Sequence, residues 1–185
     1  MSNLLSVENL TMKFGGLTAI DDLSFDAKNN QITSIIGPNG AGKTTVFNCL
    51  TGFYKPTNGQ MFLHKEDSKI SLRKYTDFKI AYVAKVARTF QNIALFKGMT
   101  ALDNIMTGRF THMKKSIFSQ MIWEGGASKE EYENREVVEK VIDFLEIQHI
   151  RKTPVGALPY GLQKRVELGR ALAAEPELLL QIGRA

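Results

Sequence analysis

A glycine-rich stretch in the first quarter of the chain constrains the fold more than any other feature. It fits the phosphate-binding loop pattern G-x-x-x-x-G-K-[ST], and its residues are Gly37, Pro38, Asn39, Gly40, Ala41, Gly42, Lys43, Thr44 and Thr45. Glycines allow the backbone to wrap tightly, so that successive N–H groups point at phosphate oxygens. The Lys43 ammonium can reach the β- and γ-phosphates, and the Thr44 hydroxyl can ligate Mg²⁺. The loop predicts that the chain binds a nucleoside triphosphate.

The segments on either side of the loop agree with this interpretation. Residues 31–36, Gln-Ile-Thr-Ser-Ile-Ile, are β-branched, apolar and uncharged, which predicts a buried strand before the loop. Residues 43–50 are predicted to form a helix that ends at Gly52. The phosphates would then lie at a helix N-terminus, where the helix dipole favours negative charge.

The rest of the chain alternates between strand and helix patterns. Strands are expected at 4–12, 18–25, 60–63, 86–90 and 177–180, and residues 65–85 are expected to be a charged loop with a short helix. Helices are expected at 100–106, capped by Thr100 with Asp103, at a segment opened by Ser128 with Glu131, and at 161–174. We therefore expect an α/β fold whose mixed sheet has an antiparallel portion and a parallel nucleotide-binding core.

Composition narrows the class of protein. The chain has 185 residues, enough for a single domain, and its net charge of +5 is scattered rather than striped, so we do not predict nucleic-acid binding. The single cysteine, Cys49, argues against a disulfide framework and for a reducing compartment. No apolar run approaches the roughly 18 residues that a membrane span needs. His64, His112 and His149 are interpreted as surface or packing residues.

The order of the motifs resembles that of the ATPase subunit of ATP-binding cassette (ABC) transporters. The resemblance extends from Leu5 to Leu180, and more narrowly it points to the branched-chain amino acid uptake branch of that family. It rests on four strings: Phe14-Gly15-Gly16-Leu17, Ala87-Arg88-Thr89-Phe90-Gln91-Asn92, Leu95-Phe96 with Met99-Thr100, and residues 158–172. The resemblance implies a P-loop NTPase fold, with residues 1–185 as one domain and a helical subdomain at about 92–165.

The resemblance also implies roles for individual residues. Phe14 matches the aromatic residue that stacks on adenine, and Gln91 matches the glutamine that touches Mg²⁺ and the attacking water. The signature motif, which contacts ATP held by a second subunit, consists of Leu158, Pro159, Tyr160, Gly161, Leu162 and Gln163. Pro159 replaces the usual serine and cannot donate a hydrogen bond, so this contact would depend on the main chain and the helix dipole.

The resemblance further implies ATP and Mg²⁺ as cofactors and a set of protein partners. These are membrane permease subunits, a second ATPase subunit in a homo- or heterodimer and, indirectly, a solute-binding protein outside the cell. The expected location is the cytoplasmic face of the plasma (inner) membrane. Residues 92–99, with Ile93, Leu95, Phe96 and Met99, would line a groove for a short permease helix, although these apolar residues could equally pack inside.

The sequence departs from the family after Leu180. The family continues with one more apolar residue, an Asp that holds Mg²⁺ and a Glu that activates water, whereas this chain continues with Gln-Ile-Gly-Arg-Ala. We expect the chain to be truncated, without its last strands and catalytic carboxylates. The five residues 181–185 are expected to be a non-native tail, because CAG ATC GGA AGA GCA, which encodes Gln-Ile-Gly-Arg-Ala, contains a widely used sequencing-adapter sequence.

Several alternatives remain at this point. The transported solute could be another amino acid, an amide, urea or a lipopolysaccharide. A switch GTPase would carry the strings Asn-Lys-x-Asp and Asp-x-x-Gly, which do not occur in the sequence. A small-molecule kinase would not need residues 158–163 before a helix. A non-hydrolysing ATP-binding protein would fit if residues 181–185 are native.

Overall fold

A computed structural model describes residues 2–65, 68–76, 78–89, 93–112 and 126–182. The strands are β1 (Asn3–Phe14), β2 (Leu17–Lys28), β3 (Asn58–Lys65), β4 (Ser68–Ser71), β5 (Val86–Arg88) and β6 (Leu178–Leu180). The α-helices are α1 (Lys43–Leu50), α2 (Phe78–Val83), α3 (Ala101–Met106), α4 (Gly126–Phe144) and α5 (Tyr160–Ala173). Short 3₁₀ turns lie at Leu72–Lys74, Thr107–Thr111, Gln148–Ile150 and Val155–Ala157. The chain forms two compact units, residues 1–86 and 87–185, each described below by itself.

The first unit is built on an antiparallel sheet with the strand order β2-β1-β3-β4. Val7 of β1 lies opposite Phe25 of β2 and opposite Met61 of β3, which fixes the register of the three long strands. The apolar residues Leu5, Val7 and Leu10 of β1 are buried, and a register shift between Val7 and Leu10 lets both contribute to the core. The antiparallel portion that the sequence predicts is therefore confirmed.

Helix α1 supplies the other apolar surface of this unit. Val46, Cys49 and Leu50 are buried on one side of the helix. Burial raises the pKa of the Cys49 thiol to about 11, because a low-dielectric surrounding disfavours the thiolate. The thiol is therefore protonated and behaves as a small apolar residue of the core.

The strand predicted at residues 31–36 is not formed, and this part of the prediction is wrong. The segment contains no strand, and Ile32 and Ile36 are 98% and 92% exposed. A β-branched sequence gives a preference for extended backbone, but a strand exists only where a neighbouring strand takes up its N–H and C=O groups. Among the described residues, the second sheet consists of β5 and β6 instead, and the Thr89 N–H donates to the Leu180 carbonyl at 2.9 Å.

Two smaller expectations also need correction. Residues 65–85 contain strand β4, in which Ile70 lies opposite Leu63 of β3, where the sequence predicts a loop. Short strands such as this are set by pairing rather than by propensity. Helix α4 begins at Gly126, so Ser128 lies inside the helix and is not its N-cap.

Among its described residues, the second unit contains three α-helices that pack together, α3, α4 and α5. Ile105 of α3, Ile142 of α4 and Val166 of α5 lie in one buried apolar core. Gly169 of α5 permits the close approach of α3, since a Cβ atom there would come within 2.9 Å of Ile105 Cδ1. The start of α3 has the predicted capping box, in which Thr100 Oγ1 accepts from the Asp103 N–H and the Asp103 carboxylate accepts from the Thr100 N–H. The helical subdomain limits of about 92–165 stay a prediction.

A buried guanidinium ties the helices of this unit to the turn after α5. Arg109 Nε donates to Asn134 Oδ1 on α4 at 2.8 Å. Its Nη1 donates to the Ala173 carbonyl at 2.8 Å and pairs with the Glu175 carboxylate at 2.6 Å. Arg109 and Asn134 are both buried, so these bonds satisfy polar groups that water does not reach. Within the described part of the chain, no helix is long and apolar enough to cross a membrane.

Candidate nucleotide-binding site

The glycine-rich loop runs directly into the N-terminus of α1. Gly42 is the N-cap of the helix and has φ 81°, a left-handed conformation that side chains other than glycine rarely adopt. A Cβ atom at this position would also collide with the Ala19 carbonyl of β2. Gly40 has φ 86°, and the Ala41 N–H donates back to the Pro38 carbonyl at 3.2 Å. The glycines of the motif thus stand where the backbone needs them.

The lysine of the motif curls back over the loop. Lys43 Nζ donates to the Gly37 carbonyl at 2.6 Å and to the Pro38 carbonyl at 2.8 Å. These bonds hold a positive charge within the curve of the loop, while the Thr44 side chain is exposed beside it. Lys43, which is predicted to bind phosphate, and Thr44, which is predicted to bind Mg²⁺, are therefore adjacent residues at the start of α1.

The start of α1 has the electrostatic character of an anion site. Its N-cap makes no side-chain hydrogen bond, and its first turn contains no acidic residue. The first N–H groups of a helix have no intrahelical partner, and together they carry about half a positive charge. The backbone, the helix dipole and Lys43 therefore all favour a phosphate at this point.

Phe14 lies at the end of β1 in the same compact unit as the loop. Its ring packs edge-to-face against Tyr54, with 5.2 Å between the ring centroids, and its side chain remains 40% exposed. Tyr54 in turn contacts Phe53, also at 5.2 Å. Sequence reasoning missed this aromatic pair, although two adjacent aromatics directly after the helix-ending Gly52 were a signal. The predicted stacking residue is thus part of a small aromatic cluster at the surface.

The six predicted signature residues form the start of α5. Pro159 is the N-cap, and its carbonyl accepts from the N–H groups of Leu162 and Gln163, both at 3.0 Å. Leu158 is buried and anchors the motif, while Gln163 Nε2 donates to the Leu158 carbonyl at 2.7 Å. Tyr160 and Gly161 are exposed. The helix therefore presents its N-terminus at the surface of the second unit with no side-chain cap.

A row of charges follows along α5. Lys164 Nζ pairs with the buried Glu167 carboxylate at 2.8 Å, and Arg170 Nη1 donates to the Ala94 carbonyl at 2.5 Å. Burial lowers the pKa of the Arg170 guanidinium, partly offset by the charge of Glu167. The row connects α5 to the segment that follows residues 90–92.

Not every predicted site residue can be placed. Gln91 lies outside the described residues, so its roles toward Mg²⁺ and water stay predictions. His64 lies 3.0 Å from Ser6 Oγ, and His112 lies 2.9 Å from the Ala174 carbonyl, which agrees with packing roles. Among the residues that the structure describes, no group of three or more His, Cys, Asp and Glu side chains could hold a metal ion.

Comparison with known proteins decides between the classes of nucleotide-binding protein. The profile of the ABC transporter family matches residues 20–181. The chain belongs to the ABC transporter family. The branched-chain amino acid transport ATP-binding protein BraF of Pseudomonas aeruginosa is 37% identical over 177 residues, covering 96% of this chain and 68% of BraF. LivG of Escherichia coli, named for the same transport, is 37% identical over 181 residues with the same coverage.

Solved structures of ABC ATPases agree with this assignment. The crystal structure of a nucleotide-free ATP-binding cassette from an ABC transporter superposes with a TM-score of 0.76 at 32% identity, covering 97% of this chain and 68% of that one. An ATP-binding cassette in its ADP conformation gives a TM-score of 0.77 at 32% identity with the same coverage. The predicted P-loop NTPase fold of the ABC class is confirmed by these likenesses.

Proposed function

We propose that this chain is the ATP-binding and ATP-hydrolysing subunit that energises the import of branched-chain amino acids through a membrane permease. The observation that carries the proposal is the loop around Lys43, where the ammonium, the glycine backbone and the start of α1 converge. The names of the BraF and LivG relatives, matched over almost the whole of this chain, support the choice of solute.

ATP fits the groups that the loop offers. The N–H groups at the start of α1 would hold the phosphates, Lys43 would neutralise their charge, and the exposed Thr44 hydroxyl would ligate Mg²⁺. The tight turn at Gly42 supports this fit, because its packing against the Ala19 carbonyl of β2 fixes the backbone at the start of α1. Phe14 would stack on adenine with an apolar face. Bound Mg²⁺ would neutralise charge on the phosphates, with Gln91 as a second ligand.

The start of α5 supplies the proposed contact with a second ATPase subunit. The exposed N-terminus at Tyr160 and Gly161 would point at the γ-phosphate held by that subunit, in a homo- or heterodimer. Because Pro159 has no hydrogen-bond donor, the contact would use the Gly161 N–H and the helix dipole. The solute-binding protein would act through the permease and not on this chain directly. The chain would sit at the cytoplasmic face of the inner membrane.

The segment at residues 93–99 supplies the proposed contact with the permease. Phe96 and Met99 are 57% and 36% exposed, whereas Ile93 and Leu95 are partly buried. Exposed apolar side chains on a turn suit the docking of a short amphipathic helix. Phe96 and Met99 would therefore contact the permease helix, whereas Ile93 and Leu95 would contribute more to packing within the chain.

A second candidate function is ATP binding without hydrolysis. It is favoured by Gln181 and Ile182, which follow β6 where the family resemblance expects an apolar residue and then the Mg²⁺-binding aspartate. Neither side chain can act as a general base or an anionic metal ligand. Hydrolysis by this chain would therefore need carboxylates that these positions do not supply.

Titration with a fluorescent ATP analogue and Mg²⁺ tests the proposal. We expect Lys43→Met to raise the dissociation constant by about 10- to 100-fold, since a hydrogen bond to a charged group contributes about 1.5–3 kcal/mol. Lys28→Met, an exposed lysine on β2, is the matched control and should bind normally. Equal binding by both variants would overturn the proposal. Phosphate release measured on the same samples separates hydrolysis from binding alone.

A further inference from the structure

The side-chain amide of Asn104 makes several hydrogen bonds to the turn that carries Phe96 and Met99. The Asn104 side chain lies on α3 and is fully buried. Its Oδ1 accepts from the Phe96 N–H at 2.8 Å, and its Nδ2 lies 3.0 Å from the Phe96 carbonyl. The same Nδ2 lies 3.3 Å from the Met99 carbonyl and 3.0 Å from the Thr100 carbonyl. The Asn104 side chain thus lies within hydrogen-bonding distance of one N–H group and three carbonyls of the same turn.

The turn is also bonded to the loop that leads into α5. The Met99 carbonyl accepts from the Val155 N–H at 3.0 Å, and the Lys97 carbonyl accepts from the Gly156 N–H at 3.0 Å. On the other side, Arg170 of α5 reaches the Ala94 carbonyl. Residues 94–100 are therefore held from three directions, and Asn104 provides the buried attachment.

We propose that Asn104 is a positioning residue, which fixes the turn at residues 96–100 so that Phe96 and Met99 face outward for the permease. The inference rests on the proposed function, because it assigns Asn104 a part in the coupling to the membrane partner. Its chemistry is specific to an amide. The three carbonyls share the two N–H donors of Nδ2, and the Phe96 N–H uses Oδ1 as its acceptor. Among side chains of this size, only asparagine offers two donors and an acceptor oxygen as a neutral group.

Asn104→Asp separates this role from general stability. The substitution keeps the size of the side chain but replaces the donor by a carboxylate oxygen that faces three carbonyls, which is unfavourable in a buried site. Asn134→Asp is the matched control, since Asn134 is also buried in this unit and uses its Oδ1 to accept from Arg109. An aspartate at 134 keeps that acceptor.

The readouts are amide hydrogen exchange, binding of the fluorescent ATP analogue, and retention of the chain on vesicles that contain the permease subunits of its transporter. For Asn104→Asp we expect exchange at Met99 and Val155 to rise at least about tenfold, because the turn opens locally. Retention on permease vesicles should fall by about tenfold or more, with ATP-analogue affinity unchanged. Asn134→Asp should match the unsubstituted chain in all three measurements.

The outcomes separate the inference from the function on which it rests. If the unsubstituted chain fails to bind the ATP analogue, the proposed function fails. If it binds the analogue and the permease vesicles but Asn104→Asp is retained equally well, the positioning role is wrong. Equal loss by Asn134→Asp would also overturn it. If Asn104→Asp does not fold, Asn104→Ser, which brings no negative charge to the site, is measured in its place with the same expectation.

Discussion

At the scale of single residues, the position of Gly42 has two structural requirements that only glycine meets. Its backbone is left-handed, with φ 81°, and its Cα faces the Ala19 carbonyl so closely that a Cβ atom would collide with it. A left-handed conformation alone costs a residue with a side chain about 1–2 kcal/mol. The conformation of the phosphate loop therefore depends on close packing of Gly42 against strand β2.

We expect Gly42→Ala to lower the free energy of unfolding by about 2 kcal/mol or more, since the collision adds to the backbone strain. The measurement is urea unfolding followed by circular dichroism. Gly16→Ala is the control, because a Cβ atom there meets nothing within 4 Å and its φ is ordinary. If the two variants were equally stable, the geometry described at Gly42 would be wrong.

The glycines of the loop could be predicted from the sequence, because the positive φ of Gly40 and Gly42 is a local requirement of the backbone. Tyr54 could not be predicted as the neighbour of Phe14. That contact depends on how the end of β1 meets the chain after α1, which is a tertiary property.

At the scale of secondary-structure elements, the buried Arg109 joins the α3 region, helix α4 and the end of α5. Removing it would leave Asn134 Oδ1 and the Ala173 carbonyl without this donor in a buried place. An unsatisfied buried polar group costs about 1–3 kcal/mol. The contribution of the Glu175 pair is smaller, because the Glu175 side chain is largely exposed and the charge is screened.

We therefore expect Arg109→Met to destabilise the chain by about 2–3 kcal/mol and Glu175→Gln to cost clearly less. Chemical unfolding measures both. The control is Lys140→Met, which removes an exposed ion pair with Glu136 on α4 and should have no measurable effect. A larger loss from Glu175→Gln than from Arg109→Met would show that the ion pair, and not the buried hydrogen bonds, stabilises the turn.

The sequence predicted the elements whose signals are local. Helix α3 has its capping box at Thr100 and Asp103 as expected, and α1 ends where Gly52 follows. The strand at residues 31–36 and strand β4 were misjudged for opposite reasons. The first has strand propensity but pairs with no strand among the described residues, and the second has a pairing partner, β3, without marked propensity.

At the scale of the whole molecule, the exposed isoleucines of the segment at residues 31–36 affect how the chain behaves in solution. The segment is a short β-branched, uncharged stretch with two almost fully exposed isoleucines, Ile32 and Ile36. Short exposed segments with high β-propensity and no charge favour association between copies of a chain. The chain is therefore expected to self-associate through this stretch as its concentration rises.

We expect Ile32→Lys to reduce this association, as seen by light scattering over a concentration series, because a charge disfavours stacking of like strands. Phe144→Lys serves as the comparison, since Phe144 is also exposed but lies on α4, whose backbone is already hydrogen-bonded. Should both variants associate as strongly as the unsubstituted chain, another surface is responsible.

The two hydrogen bonds from Lys43 mean that the Gly37 and Pro38 carbonyls compete with a bound phosphate for the Lys43 ammonium. Two of the three ammonium protons are used by the Gly37 and Pro38 carbonyls. A phosphate that draws the ammonium toward itself takes it from these carbonyls, so the net affinity is the difference between two sets of bonds. The affinity lost on substituting Lys43 therefore understates the strength of the ammonium–phosphate contact, since part of that strength is offset by the bonds given up inside the loop.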